Sequence, residues 1–142
     1  MFVRSQHHPS RVLLFDSSPD TSEVLRMVLE RRGIGILEAS ELEDGLRIAR
    51  SQQPDLIVLD TEDVPQGAAI RAAFAEESRK SRAALLILGR VDARESLPDC
   101  GRVIAKPYHF GPLIRTIEQI VEHGVQDGVA VCDTGPGSRK AV

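Results

Sequence analysis

The sequence predicts a doubly wound α/β domain: a parallel sheet whose strands alternate with helices through right-handed crossovers. Three observations carry the prediction. Short apolar runs rich in β-branched residues recur along the chain, among them Val12-Leu13-Leu14-Phe15, Leu56-Ile57-Val58-Leu59 and Val103-Ile104-Ala105, and they read as buried strands rather than helices. Segments with apolar residues at helical spacing lie between them. Each of the three runs is followed directly by a charged residue, Asp16, Asp60 or Lys106, so parallel strands would deliver all three charges to one edge of the sheet.

The elements follow in order. After the strand ending at Asp16, Ser17-Ser18-Pro19-Asp20 is a turn, and Asp20 with Glu23 makes a capping-box pattern. Val24, Leu25, Val28 and Leu29 then recur at helical spacing until Gly33. Ile34 to Ala39 is the second strand, and Ser40 is the expected N-cap of a helix lined by Leu42, Leu46, Ile48 and Ala49 that ends before Pro54. The third strand, Asp55 to Leu59, leads into a polar loop, Asp60 to Gly67, and then an Ala-rich helix from about Ala68 to Arg79. Ala84 to Leu88 is the fourth strand. Pro98 confines any helix in the following segment to one or two turns, roughly Ala93 to Leu97. The fifth strand ends at Lys106-Pro107, and the last helix, about His109 to His123, places Phe110, Leu113, Ile114, Ile117, Ile120 and Val121 on one apolar face. Residues 1–10 read as a disordered leader, 11–123 as the domain, and 124–142, with Gly128, Gly135, Pro136 and Gly137, as a mobile tail.

A chain of 142 residues with 42% hydrophobic content is enough for one core without disulfides or a structural metal. The net charge of −3, with the signs interspersed, argues against a nucleic-acid surface, so the expected partner is a protein or a small molecule. Cys100 and Cys132 stand alone, without C-x-x-C spacing, which suits a reducing cytoplasm. The leader has no apolar region of the signal-peptide kind, and no run approaches a membrane span. His7-His8 in a polar leader is read as an end rather than a metal site.

Two carboxylates and an ammonium at one sheet edge form a site for a cation and a phosphoryl group. Two carboxylates about 4 Å apart repel by roughly 4 kcal/mol at an effective dielectric of about 20, so a cation or the lysine is needed to keep both ionised. Magnesium suits an all-oxygen, partly hydrated site. Asp60 could instead cap the following loop, and Asp16 could pair with Lys106 purely structurally; the grouping of all three favours chemistry at Asp60.

The residues Val-Leu-Leu-Phe-Asp16-Ser-Ser-Pro-Asp, Pro54-Asp-Leu-Ile-Val-Leu-Asp60 and Val-Ile-Ala-Lys106-Pro107, in that order, resemble the receiver domain of bacterial two-component response regulators, from about Arg11 to Glu122. The resemblance implies a flavodoxin-like (CheY-like) three-layer α/β/α sandwich with strand order 2-1-3-4-5 and a shortened helix between the fourth and fifth strands. It implies that Asp60 is the phosphoacceptor and Lys106 the phosphoryl contact. Magnesium would be held by Asp16, Asp60 and the main chain of Glu62. A sensor histidine kinase or phosphotransfer protein would be the donor.

Departures from that pattern are visible. Ser17 stands where the family has a second acid, which weakens or abolishes magnesium binding unless Glu62 or Asp63 supplies the missing charge. Gly89 stands where the family has a hydroxyl residue, leaving the backbone N–H of Arg90 as a donor, and Val103 stands where it has a switch aromatic. The sequence therefore reads as a degenerate, stand-alone receiver that signals through a downstream protein. The alternative is a pseudo-receiver acting as a phosphorylation-independent docking or dimerisation module, such as a homodimer formed through the last helix. Enzymes fit less well. A haloacid-dehalogenase-type phosphatase wants an aspartate at position 18, where serine stands, and no glycine-rich phosphate loop follows the first strand.

Overall fold

The computed structural model describes residues 10–16, 19–61, 64–90, 101–106 and 108–123. These hold, in chain order, β1 (Arg11–Asp16), α1 (Pro19–Arg31), β2 (Gly35–Ala39), α2 (Leu42–Gln52), β3 (Leu56–Asp60), α3 (Gly67–Ser81), β4 (Ala84–Leu88), β5 (Gly101–Ile104) and α4 (Phe110–His123). The strands form one parallel sheet in the order β2-β1-β3-β4-β5. This is the expected flavodoxin-like order, with β1 and β3 at the centre and the crossovers reversing direction between them.

Strand alternation sorts the core into two layers. Val12, Leu14, Leu56, Val58, Leu86 and Leu88 pack with Leu25 and Leu29 of α1 and with Leu113, Ile114, Ile117 and Ile120 of α4. Leu13, Phe15, Ile57, Leu59, Leu85 and Ile87 pack with Ala49 of α2 and with Ile70, Phe74 and Ala75 of α3. Every residue of β4 is buried, as its unbroken apolar run requires. The start of the central strand pair is pinned by polar contacts: the Arg11 amide donates to Asp55 Oδ2 at 3.0 Å, and the Asp55 amide donates to the Arg11 carbonyl at 2.9 Å.

Several boundaries differ from the sequence expectation. Helix α1 begins at Pro19, so Asp20 lies inside the first turn and is not the cap; proline at the first helical position loses only an amide that would lack a helical partner anyway. Ser40 is not the cap of α2. Glu41 is still extended, with φ −123° and ψ 144°, and its carbonyl accepts the first helical bond from the Gly45 amide, without a side-chain cap. Strand β3 runs one residue later than expected, so Asp60 is its last residue rather than the first of the loop. Strand β5 stops at Ile104, two residues before Lys106. The short helix expected at 93–97, residues 1–9 of the leader, the tail and both cysteines lie outside the described residues.

Gly45 of α2 meets the core directly. A Cβ there would sit 2.7 Å from Phe74 Cζ and 3.2 Å from Phe15 Cδ2. The two rings are fully buried against each other, with centroids 5.3 Å apart, so neither has room to yield. Gly45→Ala gains roughly 1 kcal/mol of helix propensity but overpacks this contact at about 1–3 kcal/mol. The expected outcome is a lower urea midpoint at unchanged slope; a raised midpoint would show that the rings can move aside.

Candidate functional site

The site begins with strand register. Asp16 and Asp60 are the terminal residues of β1 and β3 and pair directly across the sheet, in neighbouring strands that run roughly 4.8 Å apart. Asp16 follows Leu14 by two positions and Asp60 follows Val58 by two, so alternation turns both carboxylates to the face covered by α1 and α4. On the other side of Asp60 stands Leu88, whose further neighbour is Ile104 at the end of β5. The Gly89 amide donates to the Ile104 carbonyl at 2.8 Å and closes the β4–β5 pair.

Beyond Ile104 the chain leaves the sheet, and Lys106 Nζ donates to Asp60 Oδ1 at 2.6 Å. The Asp60 side chain is 11% exposed and that of Lys106 is 30% exposed, so the ion pair is partly shielded from water. The structure thus brings together the three charged residues read from the sequence. Asp16 and Asp60 meet by register, and Lys106 joins them across the rim. Ser17, Glu62 and Asp63 lie outside the described residues, and so does the proposed main-chain ligand at Glu62. Among the described residues, no group of three or more His, Cys, Asp or Glu side chains could hold a metal.

Gly89 differs from its neighbours in backbone as well as side chain. Its φ is +114°, a conformation open to glycine and rare for L side chains, so a hydroxyl residue at this position would be strained. Its amide is committed to β5.

Two features escaped the reading of the sequence. Thr61, immediately after Asp60, is buried at 1% exposure on the α2–α3 side, and its Oγ1 accepts a hydrogen bond from Arg71 Nη1 at 2.9 Å. Arg71, at 9% exposure, belongs to the same buried stripe as Gly67, Ile70, Phe74, Ala75 and Ser78. The signal was present: an arginine at a core position of a helical period calls for a buried acceptor. Gly67 completes the arrangement, since a Cβ there would lie 2.5 Å from the Thr61 carbonyl oxygen and 3.0 Å from Arg71 Nη1.

The second feature is Tyr108. Its half-buried ring packs on the layer containing Leu14 and Val58 and meets Phe110 edge-on, with centroids 6.0 Å apart. Burial, then the charge of Asp60 and, more weakly, that of Asp16 push the phenol above its ordinary pKa of 10.0, while Lys106 opposes them. The phenol therefore lies in the field of all three charged residues and is neutral at neutral pH.

No family model matches the chain. It is 35% identical over 51 residues to Protein PilH of Pseudomonas aeruginosa, a match covering 36% of this chain and 42% of that protein. It is 30% identical over 92 residues to a second protein of that organism, covering 64% of this chain and 44% of the other. The chain thus spans less than half the length of these two curated relatives. Among solved structures it resembles the chemotaxis protein CheY4 of Vibrio cholerae, with TM-score 0.64, 20% identity, and coverage of 80% of this chain and 99% of that one. A response regulator from Thermotoga maritima is similar at TM-score 0.63 and 18% identity, with coverage of 81% and 99%. A two-component response regulator from Clostridium difficile is similar at TM-score 0.63 and 18% identity, with coverage of 80% and 97%. At these identities the likeness is one of fold.

Proposed function

We propose that this chain, which has the CheY-like fold of response-regulator receiver domains, carries a phosphoryl group on Asp60 in two-component signalling. One observation carries the reading: a carboxylate at the carboxyl end of a central parallel strand is held by Lys106 through one oxygen and flanked in register by a second carboxylate. With Oδ1 taken by Lys106, Oδ2 is the nucleophile. It forms the new O–P bond as the P–N bond of a phosphohistidine donor breaks, and the leaving imidazole nitrogen keeps the electron pair and takes a proton. The donor is a histidine kinase or phosphotransfer protein. As the phosphoryl flattens, its charge gathers on the equatorial oxygens, and the Lys106 ammonium is placed to meet one of them. The chain is then a carrier of the group rather than a turnover enzyme, and its output passes through protein contacts.

The donor set fits magnesium in its common form, one or two carboxylates completed by water and substrate phosphate. Asp16 and Asp60 would hold it, with the main chain near Glu62 as a further ligand and Ser17 contributing no charge. When bound, the ion neutralises charge on the two acids and on the transferring group. In the described residues no helix is long and apolar enough to cross a membrane, and the reading places the chain in the cytoplasm with its donor.

Incubation with a small-molecule phosphodonor and magnesium, followed by intact mass, tests the proposal. Wild type gains one phosphoryl group and Asp60→Asn gains none. A second reading, docking without phosphorylation, is favoured by the backbone of Gly89, which leaves no hydroxyl at the end of β4 and commits its amide to Ile104. Absence of any mass gain in wild type would select it.

A further inference from the structure

A phosphoryl group on Asp60 presents three non-bridging oxygens, and one lysine cannot satisfy them all. The adjacent end of β4 offers no side-chain hydroxyl. Gly89 has no side chain, its φ of +114° disfavours any residue that would bring one, and its amide donates to the Ile104 carbonyl. The Thr61 hydroxyl accepts from Arg71 on the opposite side of the sheet, so it faces away from the rim. Tyr108 brings a further hydroxyl to this neighbourhood. Its ring packs on the core layer that fills the α1–α4 side of the sheet, the side to which alternation turns Asp16 and Asp60, and Lys106 is two residues away along the chain. Phe110 meets the ring edge-on, with the phenol oxygen on the ring of Tyr108 alone.

We propose that Tyr108 is a binding residue of this site, its Oη donating a hydrogen bond to an oxygen of the phosphoryl group carried by Asp60 and supplying the hydroxyl that the end of β4 lacks. The inference rests on phosphoryl acceptance at Asp60. The order of influences on the phenol supports it, since Asp60 is the charge felt most strongly, and a phenol held above its ordinary pKa keeps the proton to be donated. Because the donor sits on the segment joining β5 to α4, an occupied site would tether that segment to β3.

The test compares wild type, Tyr108→Phe and Phe110→Leu in calorimetric titrations with beryllofluoride, a phosphoryl mimic, in the presence of magnesium. Tyr108→Phe removes one oxygen and keeps the ring. The expected result is binding weakened about tenfold or more in Tyr108→Phe, with Phe110→Leu, which retains the phenol, within about threefold of wild type. Equal affinity of Tyr108→Phe and wild type would overturn the inference and leave phosphoryl acceptance standing. Equal weakening in both variants would assign the effect to ring packing and also overturn it. Wild type that neither binds the mimic nor gains phosphoryl mass would remove the underlying reading, and the inference with it.

Discussion

Lys106→Met should lower the rate of phosphoryl uptake by about 100-fold or more, the scale on which a site loses one preorganised donor to developing oxyanion charge. The substitution keeps the aliphatic stem and removes the ammonium, so Asp60 Oδ1 loses the partner it has at 2.6 Å while Asp16 remains across the register. The Asp60 side chain is only 11% exposed, and water compensates poorly. A loss of about 1–2 kcal/mol in stability is expected, less than for a fully buried pair because Lys106 itself is 30% exposed.

The same variant has an optical signature. The chain contains one tyrosine and no tryptophan, so near-ultraviolet titration reads Tyr108 alone. Lys106 lowers the pKa of the phenol and Asp60 raises it. Lys106→Met should therefore move the titration further up, and Asp60→Asn should move it down. Shifts of the same sign would contradict the arrangement described here. The stability effect has a definite sign as well. A folded-state pKa raised above 10.0 favours the neutral phenol, so its contribution is intact below about pH 10 and is lost as pH climbs through the raised value.

Gly67→Ala should be strongly destabilising. The new Cβ would sit 2.5 Å from the Thr61 carbonyl oxygen and 3.0 Å from Arg71 Nη1. A backbone carbonyl cannot step aside as a side-chain tip can, so relief requires shifting Thr61, which is bonded to Asp60. We expect a loss of about 2–3 kcal/mol, together with slowed phosphoryl uptake. Gly111→Ala is the matched control: its Cβ would meet nothing nearer than Arg115 Nη1 at 3.8 Å, inside helix α4. That change should stabilise by about 0.5–1 kcal/mol. Equal urea midpoints for the two variants would show that the Thr61 loop is not held as described.

Much of the architecture was readable because burial leaves a local imprint. A strand covered on both faces must be apolar throughout, and Leu56 to Leu59 and Ala84 to Leu88 are; a helix packed on one side shows the 3.6 period, as α4 does. Element ends were less legible. Ser40 has the chemistry of a cap but Glu41 occupies the geometry, and Asp20 gives way to a proline one residue earlier, because a helix start depends on where the preceding strand releases the chain.

The convergence of Asp16 and Asp60 was legible in the chain, because both sit at the end of an apolar run and parallel pairing leaves them side by side, while the full strand order came from the family resemblance. Tertiary structure alone decided that Lys106 binds Asp60 across 46 residues of sequence, that Tyr108 enters the same field, and that Arg71 reaches beneath the sheet to Thr61. Periodicity records which side of an element is dry. Which atoms meet there is settled only when separate elements close on one another, and a backbone such as that of Gly89, turned to φ +114° to complete the β5 pairing, is set by that closure.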